Sequence, residues 1–354
     1  MSNLTAAGCQ LAWQIADDKL YWFSQIVTFI LSIVAMPGLC WVICIEIGRR
    51  TFNPNVKLLY KIYFIESLIL VTNCVVAFGL HVAIPFTAVE DHCFLLVKKG
   101  VNRVIQYVGL FGVLSPMISM MGIVIERVFA LALARVYEQS RFLLGPIIGL
   151  VVTLLGVVTV FLFFVDEKFD QPAISYFLMP ATSGAKMNSL CFFLLALTTG
   201  ALGLNLLLIY LNILVKNKNR YESLSTRFQL EENIITTKFS ALISLGHVIA
   251  FSLYLGCTLL IRNVAPKVFR DEVTLVTLRG VYMTMPVYNL FIPYASHWYL
   301  NRLYRKKKEK LDREIALKYR GSEGQAIHEM VTKDIWRSHQ SRVLPSVITV
   351  LRRA

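Results

Sequence analysis

Glu66, Asn73, Ser240, Ser244, His247 and the adjacent pair Glu126-Arg127 sit inside or at the ends of long apolar runs. A polar or ionisable group is costly in hydrocarbon and turns toward the interior of a helical bundle, where it relays a change or makes a fixed bond. Glu66 and Asn73 are seven residues apart and share one helical face. They serve either as a polar switch or as static interhelical hydrogen bonds. Ser240, Ser244, His247 and Tyr254 also line one face, where packing with satisfied hydroxyls is the competing account. A third set, His81, Gln106, Tyr107, Tyr254 and Tyr282, lies toward one end of its runs. A few polar groups around an apolar cavity are the usual form of a small-molecule site, although tyrosines near run ends also anchor at membrane interfaces. In the Glu126-Arg127 pair the guanidinium can hold its neighbour in one state and another helix or a partner in a second. The plainer alternative is a basic residue marking the membrane edge.

Other chemistry is excluded by pattern. The chain has no His-Glu-x-x-His, no Gly-rich phosphate loop, no Cys-x-x-Cys and no pair of carboxylates within one run. The last run contains no lysine for a Schiff base. The sequence therefore reads as a non-enzyme without cofactor or metal.

The elements that must position these residues are seven apolar stretches, at about 20–45, 58–84, 102–125, 142–165, 189–215, 239–261 and 275–299. Each is long enough to cross ~30 Å of hydrocarbon as a helix, and only a helix satisfies its own backbone within one segment there. With 56% hydrophobic and 16% charged residues, the expected fold is an all-α, seven-transmembrane helix bundle. The domains are an extracellular segment 1–19, a membrane domain 20–299 and a cytoplasmic basic tail 300–354.

The net charge of +14 suggests nucleic acid until its placement is considered. Arg302, Arg305, Lys306, Lys307, Lys308, Lys310 and Arg313 crowd the end of the last run, which favours the cytoplasmic side and contact with anionic lipid. An odd number of spans then places the N-terminus outside. Leu300, Tyr304, Leu311 and Ile315 recur at helical spacing among these lysines, the pattern of an amphipathic helix on the inner membrane surface or of a solvated charged helix. The first nineteen residues do not show the basic and apolar regions of a signal peptide, so the first span is expected to act as its own insertion signal. Asn3-Leu4-Thr5 is a glycosylation sequon on the outer side. Of seven cysteines, Cys9 and Cys93 alone fall in outer segments, where oxidation is expected. A Cys9–Cys93 bridge competes with a Cys93–Cys191 bridge and with free thiols.

Two inner segments carry a resemblance. Glu126-Arg127 at the inner end of the third span is similar to the Asp/Glu-Arg-Tyr position of G-protein-coupled receptors, with Val128 in place of the aromatic residue. Leu224-Ser225-Thr226-Arg227-Phe228-Gln229-Leu230-Glu231-Glu232-Asn233 resembles the signature before the sixth helix of nematode serpentine chemoreceptors of the Sra superfamily. Cys9, Ala12, Pro37 and Asn55-Val56-Lys57 are similar to its alpha/beta class. The resemblance runs from residue 9 to about 310. The chain departs from it in having no cysteine between Val97 and Gln106, and Asn289-Leu290-Phe291-Ile292-Pro293-Tyr294 stands where Asn-Pro-x-x-Tyr is usual.

The resemblance implies a chemosensory receptor that binds an extracellular small molecule or peptide and activates a cytoplasmic heterotrimeric G protein. Glu126 and Arg127 would form the switch, and Arg135, Arg227 and Lys238 the surface facing the G protein. It implies a multi-pass protein of the cell membrane, in the cilium of a sensory neuron, with lipid and not nucleic acid as its surroundings. The alternatives are a seven-helix ligand-gated cation channel or a small-solute transporter; a transporter with two similar halves finds no matching repeat here.

Overall fold

The computed structural model describes residues 2–50, 52–87, 92–133, 143–169, 175–176, 183–218, 224–269, 271–281, 284–318, 329–330 and 332–333. Tyr282, Arg135 and the side chains of Asn3 and Arg227 lie outside the described set.

The chain opens with a helix, α1 (Ser2–Asp17), where the sequence indicated only a polar segment. Asp18 breaks it: its backbone is extended and its carboxylate accepts from Tyr21 N at 2.8 Å, capping α2 (Lys19–Trp41). A π turn (Val42–Glu46) and α3 (Ile47–Arg49) prolong α2 to the end expected to face inward. Then come α4 (Pro54–Thr87), whose first residue needs no backbone donor, a 3₁₀ turn (His92–Leu95), α5 (Lys99–Ala132) and α6 (Leu144–Phe164). After α7 (Gly184–Lys218) and α8 (Leu224–Asn263), a short α9 (Ala265–Val268) leads to α10 (Glu272–Val281) and α11 (Thr284–Lys318).

Six helices among the described residues are long and apolar enough to cross a membrane: Lys19–Arg49, Pro54–Pro85, Lys99–Ala132, Leu144–Phe164, Gly184–Asn217 and Gln229–Ile261. The seventh apolar run is occupied by α10 and the first part of α11, on either side of residues 282–283. Lipid as the solvent explains the outer face of α6, where Leu150, Leu154, Phe161 and Leu162 are exposed and apolar. By contrast α5 is buried on all sides from Leu114 to Met120, which makes it the central helix.

Helices α4, α5 and α6 meet through glycine. A methyl group at Gly112 of α5 would lie 2.8 Å from the Leu70 Cα of α4, and one at Gly145 of α6 would lie 2.6 Å from the Asn55 Cα. Side chains no larger than hydrogen let these backbones touch, the usual device where lipid supplies no hydrophobic drive between helices. Helix α8 instead meets α11 through side chains, with Gly246 facing the Tyr288 ring.

Residues Tyr299–Ala354 form a separate compact unit. Its described part continues α11, with exposed Lys306, Lys308 and Lys310 and an Arg305–Glu309 pair at 3.8 Å.

Candidate functional site

At the end of the bundle expected to face outward, a disulfide joins Cys9 of α1 to Cys93 of the 3₁₀ turn. Cys191, the other candidate for Cys93, is not part of the bridge and is buried among Leu114, Leu194 and Phe251. The bridge holds α1 across the bundle end, where Ala12 and Leu95 pack with Trp13, Ala16 and Ile84.

Two of the five outer candidates converge. His81 Nε2 accepts from the Tyr176 backbone N–H at 3.0 Å and lies 3.2 Å from the Ser175 hydroxyl. The Gln106 amide donates to the Tyr176 carbonyl at 2.6 Å. Both peptide groups of Tyr176 are thus engaged, so residues 175–176 are clasped onto α4 and α5. The rings of Tyr21 and Tyr176 stand edge-on to His81 at 6.3 and 5.0 Å. Burial pushes the Tyr176 phenol above its ordinary pKa, so it stays protonated and uncharged. Between α1, α2, α4 and Tyr176 lies a small cavity, lined in part by Trp22 and Gln25.

The other outer candidates go elsewhere. Tyr107 packs on Phe161, Phe164 and Phe169, with the Arg103 guanidinium 5.7 Å from its ring centre. Tyr254 joins the apolar cluster of Phe251 and Leu255. No hydrophobic pattern distinguishes these tyrosines from His81 and Gln106; the bonds of the latter two to Ser175 and Tyr176 make the difference. Tyr21, Gln25 and Tyr176 escaped sequence reasoning because the first two resemble ordinary span residues and the third lies in a loop without periodicity.

Mid-bundle polar residues are hydrogen-bonded between helices. Glu66 accepts from Ser115 at 2.5 Å and Ser119 at 2.7 Å, and Asn73 donates to the Ile105 carbonyl at 3.2 Å. Tyr63 meets His247 Nε2 at 2.9 Å and the Tyr288 hydroxyl at 2.7 Å, linking α4, α8 and α11. Ser244 accepts from Asn205 of α7 at 3.2 Å.

The end of the bundle expected to face inward is built around Arg127. Its side chain is 1% exposed, so Arg127 is packed inside the bundle rather than presented on its surface. Its Nε and Nη2 donate to both Glu126 oxygens at 2.5 and 2.6 Å, and Nη1 donates to Asn233 at 2.9 Å and Thr236 at 2.7 Å. The reason is helical geometry around the Glu-Glu-Asn of the motif before the sixth span. Successive residues point about 100° apart at 3.6 residues per turn. Glu231 therefore pairs with Lys216 of α7, Glu232 accepts from the Asn53 backbone N–H, and Asn233 reaches Arg127 of α5. Tyr60 adds a bond to the Thr236 carbonyl at 2.8 Å, and Asn55 accepts from Gly145 N at 3.1 Å. Lys238 is half-buried on α8.

A further buried carboxylate, Glu46, lies just past the first apolar run and was not anticipated. It pairs with Arg50 and with His297 Nδ1, the latter at 3.1 Å. The π turn supplies its signal only in three dimensions, by adding a residue to the turn that carries it.

A helical bundle with a buried acidic–arginine pair at the end of its third span is the architecture of a serpentine membrane receptor. The family profile for the serpentine type 7TM GPCR chemoreceptor Srb matches residues 18–251, and the chain belongs to that family. It is 45% identical to Serpentine receptor class beta-6 of Caenorhabditis elegans over 94% of this chain and 98% of the relative. With Serpentine receptor class beta-12 and class beta-1 of the same organism it shares 31% identity each, over 96% and 93% of this chain and 97% of each relative. The resemblance to the alpha/beta class thus resolves to beta. The chain is a multi-pass membrane protein of a chemosensory receptor family and not an enzyme.

Proposed function

We propose that this receptor binds an extracellular ligand at its α1 end and activates a heterotrimeric G protein at the Arg127 end, in the membrane of a sensory cilium. The observation that carries this is the contact of Arg127 with Asn233 and Thr236. It is a discrete link between α5 and α8 that separation of the two helices must break. Once it breaks, Arg127 keeps Glu126 and gains free donors toward a partner. Arg135, Arg227 and Lys238 supply further positive charge on that side. A ligand shifts the balance only by the difference in its affinity for the linked and separated states, and each factor of ten in that difference is about 1.4 kcal/mol.

The test is a panel of uncharged and charged small molecules and short peptides applied to cells expressing the full chain. G-protein dissociation and membrane current are recorded together. The expected result is G-protein activation without a direct current. A ligand-gated current that persists when G-protein signalling is blocked would overturn the proposal in favour of a channel.

A further inference from the structure

We propose that the cavity beneath α1 is a site for a small uncharged molecule with a hydrogen-bond-donor head and a short apolar body, the head bound by Gln25. The proposal rests on the receptor reading for its biological meaning but not for its geometry.

Gln25 lines the cavity and is 3% exposed, and its Oε1 has no hydrogen-bond partner. The orientation of its amide follows from its neighbour. The Ser24 hydroxyl gives its proton to the Tyr21 carbonyl at 2.6 Å, so its oxygen can only accept from Gln25, at 3.3 Å. The nitrogen faces Ser24 and the carbonyl oxygen is left over. A buried acceptor without a donor costs on the order of 1–3 kcal/mol, which a ligand hydroxyl or amide N–H would recover.

The rest of the wall selects against charge. Ala12 and Ala16 of α1, Trp22 of α2 and Tyr176 are uncharged. His81 is neutral in this arrangement, because a nitrogen that accepts from the Tyr176 peptide N–H cannot carry a proton of its own. The described lining residues offer no cation to a carboxylate and no anion to an ammonium, so each would be desolvated unpaired by them.

Access is through α1. The helix is fixed at two points, Cys9 by the bridge and Asp18 by the extended residue that caps α2. Between them its inner face, Ala12, Ile15 and Ala16, forms the roof. The half of α1 held between these two points can tilt to admit a ligand without leaving the bundle.

The experiment uses the full chain in lipid nanodiscs with Ala16→Cys, labelled by N-ethylmaleimide and read peptide by peptide so that native thiols are counted separately. The probes are 1-hexanol, hexanoate and hexylammonium at equal free concentration. Hexanol is expected to slow labelling of the introduced thiol at least fivefold, while the two ions slow it less than twofold. Gln25→Leu in the same background should abolish the hexanol effect while leaving the thermal midpoint unchanged or raised. If Ala16→Cys does not fold, Ile84→Cys on the α4 wall gives the same readout. Absence of protection by hexanol, equal protection by hexanoate, or protection that survives Gln25→Leu each overturns the proposal. No G protein takes part, so this assay can fail while ligand-stimulated G-protein activation succeeds through another site, and the reverse outcome is equally distinct.

Discussion

At the inner end of the bundle a guanidinium and a carboxylate are both buried, and each nitrogen of the Arg127 guanidinium bonds to a residue of α5 or α8. At the outer end the contacts of His81 and Gln106 with the loop are neutral, one carbonyl of Gln25 is unmatched, and a covalent bond rather than charge secures the cover. The two ends thus differ in what breaking them costs. Neutral hydrogen bonds are worth about 1 kcal/mol net, so a modest ligand can rearrange the outer end. Stranding one member of a buried ion pair costs about 3–5 kcal/mol, so the inner end holds or releases as a unit.

The largest effect is expected from Arg127→Ala, which leaves the Glu126 carboxylate buried without its cation. Surface expression should fall at least tenfold in a quantitative cell-surface assay. Glu126→Gln with Arg127→Met, which removes both charges, should restore most of it and raise basal G-protein activity, because the link to α8 is gone. Normal surface levels of Arg127→Ala would place the pair in a wetter setting than its geometry indicates.

The outer cover is next. Replacing Cys9 and Cys93 together with serine removes the tether at a cost on the order of 2 kcal/mol. Proteolysis on the N-terminal side of Asp18 should accelerate roughly tenfold while the bundle stays intact. Unchanged cleavage would mean that the apolar contacts of Ala12 and Leu95 hold α1 by themselves.

A smaller change is expected for Gln106→Leu, which deletes one neutral bond to the Tyr176 carbonyl at about 1 kcal/mol. Amide exchange across residues 175–176 should rise about fivefold, with no change near Asn233. If exchange rises at both ends, the comparison between them fails.

The smallest concerns pH. Asp271 caps α10, accepting from Thr274 N at 3.0 Å and from its hydroxyl at 2.9 Å, and these bonds, the backbone one first, hold its carboxyl below the usual range. A depressed value means the stabilisation is present above the ordinary carboxylate range and is lost as pH falls through the lowered value. Fraying of α10 should therefore appear only in strongly acidic medium, and Asp271→Asn should weaken that dependence, as followed by amide exchange at Thr274.

Most of the helices were legible because lipid imposes a length and a composition that hydropathy records directly. Arg127 and Glu126 were legible as a pair by type and adjacency. Their burial was not, since it depends on Asn233, more than a hundred residues away and recognisable only as part of a motif. Glu46 was missed because a charged residue past the last apolar position looks like the start of a loop, and a π turn leaves no mark in a linear pattern. The outer cavity was the least legible. It is assembled from α1, two spans and a loop peptide whose backbone, not side chain, makes the decisive bonds.

The glycine contacts at Gly112 and Gly145 have a mechanical consequence. Where backbones touch, two helices cannot slide without collision, so α4, α5 and α6 behave as a fixed frame. Helix α8, seated on α11 through the Tyr288 ring and on α5 through Arg127, is a part that can be displaced against that frame. Probes that report distance should accordingly be anchored on α4 or α6, where movement of the reference is smallest, and read on α8.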